Sequence, residues 1–144
     1  MNSVKSKWFS ELTSTELYEI LKLRSEIFVV EQNCVYQDLD DKDYESLHYF
    51  FEEDGIVTAY LRAYVLDAET VRMGRVVTKI HGIGLGGRLL KDGIREIREK
   101  MHPERISIEA QCYAIGYYEK DGFRVCSDEF LLDGIPHVQM ILQM

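Results

Sequence analysis

Apolar positions change their spacing several times along the chain, and each change marks an expected element. Residues 4–10 suit a short strand. Thr13 or Ser14 can cap a helix in which Leu17, Ile20, Leu21 and Phe28 recur at helical spacing, ending near Glu31 with room for a break. Residues 33–45 are polar, acidic and turn-rich, which predicts a loop. The strongest local signal follows: two β-rich runs, 48–53 and 56–65, meet at Asp54-Gly55, the preferred pair for a two-residue hairpin turn. A second turn at 67–69 leads into a strand over 70–78, completing an antiparallel meander.

The period then switches. Residues 81–87 hold four glycines, after which Leu85, Leu89, Leu90, Ile94, Ile97 and Met101 mark one helical face. His102-Pro103 ends that helix and residues 105–110 read as a strand, so strand, glycine loop, helix and strand form a βαβ unit with two parallel strands. A short helix over 114–121 stops at Gly122, and final strands at 123–131 and 137–143 are separated by Asp133-Gly134-Ile135-Pro136. The expected architecture is α/β. One domain spans 1–144, with a mixed sheet of about seven strands, an antiparallel N-terminal meander and a central parallel βαβ unit.

Charge sharpens this picture. The net charge of −8 argues against a nucleic-acid binder held by phosphate neutralisation. Residues 31–54, with nine acids and one base, account for all of it, whereas residues 72–105 carry a local +5. These blocks read either as solvated surface or as docking regions for two ligands of opposite charge. Cys34, Cys112 and Cys126 are odd in number and widely spaced, and the four histidines are scattered, so neither a disulfide framework nor a metal site is expected. No signal peptide or membrane-length apolar run is evident, which predicts a cytoplasmic protein with no membrane partner.

The glycine loop suggests backbone N–H groups facing an anion at a helix N-terminus. It fails the Walker A pattern, because Arg88-Leu89 follows the last glycine. Gly82, Gly84 and Gly87 do match G-x-G-x-x-G, with Glu109 downstream, but an antiparallel meander precedes them where a dinucleotide fold needs strand–helix repeats. The remaining reading is a pyrophosphate grip on coenzyme A. His81-x-x-Gly84-x-Gly86 resembles the loop of the GNAT acyltransferase superfamily, with His where that family carries Arg or Gln. Residues 114–123, Ala-Ile-Gly-Tyr-Tyr-Glu-Lys-Asp-Gly-Phe, resemble its second motif in the expected order and spacing. The stretch 24–40, together with His48, the 74–77 strand, Ala110-Gln111 and residues 133–137, resembles the ElaA-type branch.

The resemblance implies transfer of an acetyl group from acetyl-CoA, a cosubstrate, to an amine by direct attack, without a metal. It assigns the pantetheine arm and thioester to the backbone of Val76, Val77 and Thr78. The phosphates go to Gly82, Ile83, Gly84, Leu85, Gly86, Gly87 and Arg88, with His81 an open contact, and a further cofactor contact goes to Gln111. Tyr118 matches the family's tyrosine acid, which protonates the leaving thiolate. Glu31 and His137, with Glu109 behind them, are candidate bases for the incoming ammonium; Glu31 can equally act as a cap or pair with Arg24, and His137 can be structural. The acceptor is a small-molecule, peptide or protein amine, and the acidic block favours a cationic one. Many relatives are dimers, which leaves a homodimer open. The rival reading is a non-catalytic acyl-CoA-binding or sensing protein with the same fold.

Overall fold

The computed structural model describes residues 2–80 and 82–144, so His81 lies outside the described residues. Its centre is one eight-stranded mixed sheet. Strand β1 (Asn2–Trp8) leads to helix α1 (Ser14–Arg24), then β2 (Leu47–Glu53), β3 (Ile56–Val65), β4 (Thr70–Thr78) and helix α2 (Leu85–Met101). Strand β5 (Arg105–Gln111), helix α3 (Ile115–Glu119), β6 (Arg124–Val125), β7 (Phe130–Leu132) and β8 (Ile135–Gln143) complete the chain. The strands run in the order β1-β2-β3-β4-β5-β8-β6, with β7 paired to β8.

The local rules explain most of these boundaries. Thr13 caps α1 through a reciprocal pair: its hydroxyl accepts from the Glu16 N–H at 3.0 Å, and its own N–H donates to the Glu16 carboxylate at 2.8 Å. Beyond Arg24 the helix widens into a π-helical stretch, Ser25–Glu31, closed by a bond from the Gln32 N–H to the Ile27 carbonyl. Asp54 and Gly55 both take positive φ, as the hairpin reading requires.

Two expectations about the last third need correction. Residues 123–131 are not one strand. Phe123 is buried, β6 spans two residues, and β7 is a separate strand, which raises the count to eight. Asp133-Gly134 is not merely a separator either. Both residues take positive φ and Leu132 faces Ile135, so it is a second tight hairpin of the Asp54-Gly55 kind. The last strand therefore starts at Ile135, and Pro136 sits near its end, where a missing N–H disturbs the ladder least.

The sheet separates two packing regions. One face packs Leu61, Met73, Ile106 and Ile108 against Leu89, Leu90, Ile94 and Ile97 of α2. Gly93 makes that approach close, since a Cβ there would lie 2.5 Å from the Leu61 side chain. On the other face Phe50, Tyr60 and Val77 pack against Ile20, Leu23 and Ile27. Glu16 anchors α1 to β1 through Lys5 (2.7 Å) and Lys7 (2.8 Å). Burial works to raise its pKa, but the two lysines and the Thr13 N–H outweigh that and hold it at about 2. A carboxylate depressed in the folded state contributes stability above its unfolded pKa and loses it as pH falls. We therefore expect Glu16→Gln to cost about 2–3 kcal/mol at pH 7. That difference from wild type should shrink below pH 4.5 and vanish near pH 2 in paired urea titrations.

Candidate active site

Strands β4 and β5 run parallel but stay paired over only three positions, Thr70–Arg72 against Arg105–Ser107. From Met73 onward β4 pairs only with β3, and β5, which pairs with β8 along Arg105–Gln111, no longer pairs with β4. The strands part, and backbone that a sheet would normally satisfy opens into a cleft of about 480 Å³. The cleft gathers Val76, Val77, Thr78, Gly86, Gln111, Tyr118 and His137 on its walls, with Glu109. Gly82, Ile83, Gly84, Gly87 and Arg88 are instead exposed around the start of α2, and Leu85 is half-buried there. Glu31 is exposed at the end of the π-helical stretch, and its neighbour Gln32 lines the cleft in its place.

Among the described residues, no side chain caps the start of helix α2. Gly84 occupies the N-cap at φ +79°, a conformation costly for other residues, and no acid stands in the first turn. The first N–H groups are therefore left for an external acceptor, where the helix dipole favours negative charge. Tyr117 donates its hydroxyl to the Gly86 carbonyl and ties α3 to this helix start. A Cβ on Gly86 would sit 3.3 Å from that hydroxyl.

Tyr118 packs edge-on against Tyr117 and Phe123, with ring centroids 4.9 and 5.8 Å away. Its hydroxyl has no hydrogen-bond partner among the described residues. Burial, reinforced by Tyr117 and Tyr113, pushes the phenol above its ordinary value, so it stays protonated throughout the neutral range. His137 is buried, stacks on Phe130 and places Nδ1 2.7 Å from the Ile135 carbonyl. A carbonyl only accepts, so Nδ1 carries hydrogen and the neutral ring keeps its lone pair on Nε2. Gln111 donates to the Gln32 side chain at 3.4 Å, and Glu109 accepts from Arg72 at 2.7 Å across the point where the strands separate.

The acidic block is only in part solvated surface: Glu31, Asp41, Glu45, Glu53 and Asp54 are exposed, but Asp38, Asp40, Asp43 and Glu52 answer bases and are not an open negative field. Asp38 accepts from Arg24 and Arg75, Asp40 from Arg62, and Asp43 from Arg24 and Arg62, at 2.5–3.1 Å. Glu52 pairs with Lys5. Arg24 therefore takes Asp38 and Asp43 as partners. Burial acts to raise the Asp40 pKa, but Arg62 and Arg75 hold it at about 2. His48 completes this cluster, donating from Nε2 to the Asp43 carbonyl (2.9 Å) and accepting at Nδ1 from the Tyr60 hydroxyl (2.6 Å). A signal for it existed: Arg62 lies inside an apolar strand run, and a buried charge needs a counter-charge.

Comparison with known proteins fits this geometry. The family described as acetyltransferase (GNAT) domain matches residues 15–144. The chain belongs to the GNAT acetyltransferases. A UPF0039 protein of Mycobacterium tuberculosis is 42% identical over 96% of this chain and 92% of its own length. The crystal structure of Escherichia coli ElaA superposes with a TM-score of 0.92 at 29% identity, covering 98% of this chain and 99% of ElaA. That of an acyl-CoA N-acyltransferase from Pseudomonas aeruginosa gives 0.91 at 33%, covering 97% and 99%. As a GNAT protein the chain is an acyltransferase, and the single parallel strand pair among the described residues excludes the doubly wound dinucleotide fold. In this GNAT chain we expect Tyr117→Phe to lower stability by about 1 kcal/mol. The same change should weaken acetyl-CoA binding severalfold in calorimetric titration, by releasing the start of α2.

Proposed function

We propose that residues 1–144 act as one acetyl-CoA-dependent N-acetyltransferase domain, moving an acetyl group to an amine by direct attack. The observation that carries this reading is the parting of β4 and β5 beside both an uncapped glycine helix start and the Tyr118 phenol. Bound acetyl-CoA would supply the activated acyl group. The described residues fit such a ligand: free β4 backbone for an amide-bearing arm, and uncapped N–H groups with Arg88 nearby for phosphates. Among them, no helix is long and apolar enough to cross a membrane, and no group of side chains could hold a metal ion. Three free thiols suit a reducing, cytoplasmic compartment.

Each residue then has a defined task. Backbone N–H groups near Val76 and Val77 stabilise negative charge developing on the acyl oxygen, an effect worth several kcal/mol where donors are fixed in advance. Tyr118 gives its proton to the departing thiolate. His137 Nε2 takes the proton from the incoming ammonium, which makes it the preferred base over Glu31, because it reaches the cleft wall and Glu31 does not. Gln111 holds the cofactor side of the cleft. The acceptor is an amine on a small molecule, peptide or protein. Preference for a cationic one now rests on Asp133 in the cleft, since Asp38, Asp40 and Glu109 already answer arginines.

Turnover of acetyl-CoA against a panel of amines, followed by thiol release, tests the proposal. Tyr118→Phe should keep acetyl-CoA binding and lower turnover by roughly 10²-fold. Because the phenol is raised, wild-type turnover should show no loss from this group as pH rises to about 9–10. Unchanged turnover in Tyr118→Phe would remove Tyr118 as the acid. Binding of acetyl-CoA with no amine acetylated would favour the sensing role instead. A melting temperature raised by NAD and not by acetyl-CoA would overturn the cofactor assignment.

A further inference from the structure

Strand β4 carries one residue too many for its partner. Tyr60 faces Val77 and Arg62 faces Gly74, so Leu61 alone stands against two residues, Arg75 and Val76. This is a β-bulge, and it reverses the alternation of the strand beyond it. Met73 points to the α2 face. Regular alternation would send Val77 there too, yet Val77 packs on the α1 face with Ile20 and Tyr60, and Val76 packs on the α2 face. The same reversal applies to the backbone. It decides which N–H groups of residues 76–78 turn to β3 and which turn to the opening between β4 and β5.

The bulge is held at a conformational cost. Arg75 sits at φ +52°, the left-handed region that a non-glycine side chain disfavours. Its side chain supplies the compensation. Nε donates to the Asp38 carboxylate at 2.8 Å, an outer nitrogen donates to the Asp38 carbonyl at 2.9 Å, and the guanidinium lies 5.7 Å from the Tyr36 ring centre. Asp38 is itself fixed by Arg24, which is fully buried and also bound to Asp43. The clamp is thus rooted in the core.

We propose that Arg75 is a positioning residue. Clamped by Asp38 and Tyr36, it keeps the left-handed bulge in place, and the bulge presents the backbone N–H groups of 76–78 to the acyl group. The role in catalysis rests on the acetyltransferase reading above; the role in holding the bulge does not. Arg75 also lines the cleft, so the alternative is that its charge touches a ligand directly.

The two differ in which replacements succeed. If backbone conformation is what matters, activity follows tolerance of positive φ, with Gly and Asn above Ala and Ala above Val. If charge matters, Lys alone succeeds. The experiment measures kcat and KM for acetyl-CoA and for one amine in Arg75→Gly, Asn, Ala, Val and Lys. We expect Arg75→Ala to fall about tenfold below Arg75→Gly in kcat/KM for acetyl-CoA, the range set by the left-handed penalty. The amine KM should stay unchanged. Equal activity in Gly and Ala, or full activity in Lys alone, would overturn the proposal. Should Arg75→Val fail to fold, the Gly, Asn and Ala variants still decide. Amide hydrogen exchange at 76–78 reads the bulge itself, so it decides the clamp even if wild type never binds acetyl-CoA. Protection there should match wild type in Gly and Asn and change in Ala. No difference between Ala and wild type would refute the clamp.

Discussion

The short parallel contact between β4 and β5 is the constraint on which the site depends. Three paired positions fix the two strands to one sheet, and beyond Arg72 and Ser107 they no longer pair with each other. β5 keeps β8 on its far edge and β4 keeps β3, and the space between them is walled by loops and by the start of α2. A longer parallel ladder would satisfy the same backbone groups and leave no cleft. Helix α2 keeps the opening from collapsing, because its apolar stripe packs across β2, β3 and β4 and Gly93 lets it lie directly on Leu61.

The two faces of this sheet have different characters, and that difference separates tasks. The α2 face is almost wholly apolar and supplies rigidity. The opposite face carries Arg62, Arg72, Glu109, Gln111 and His137 from neighbouring strands, under a polar loop whose aspartates answer the arginines. Polar groups in such density stay folded only because they are bonded to one another.

How much of this was legible in the sequence depended on the range of the interaction. Hairpin chemistry at Asp54-Gly55, the cap at Thr13 and the helical stripe from Leu85 to Met101 are local, and they read correctly. The site motifs were equally local, so Tyr118, Gly86, Gln111 and His137 could be named in advance and do meet at one cleft. What escaped was non-local. Counting charge by segment made residues 31–54 look like a negative surface, because Arg24, Arg62 and Arg75 lie in other elements. The Arg75 bulge was hidden for the same reason, since an extra residue exists only relative to a partner strand. Phe123 misled in the opposite direction: its β-rich neighbourhood suggested a long strand, while tertiary packing took the ring into the core and left two short strands.

The charges on β1 have a consequence for how copies of this chain behave together. β1 lies at the outer margin of the sheet, so one row of its backbone groups lacks a strand beside it. Lys5 and Lys7 punctuate that margin, Lys5 engaged by carboxylates of α1 and β2 and Lys7 by that of α1. A second chain adding itself there would have to place its own side chains against fixed, hydrated ammonium groups, a recognised deterrent to edge-to-edge growth. At the opposite margin β6 offers only two residues, too short a template for extension. An open sheet of this width therefore resists polymerisation by two unlike means, charge at one rim and brevity at the other.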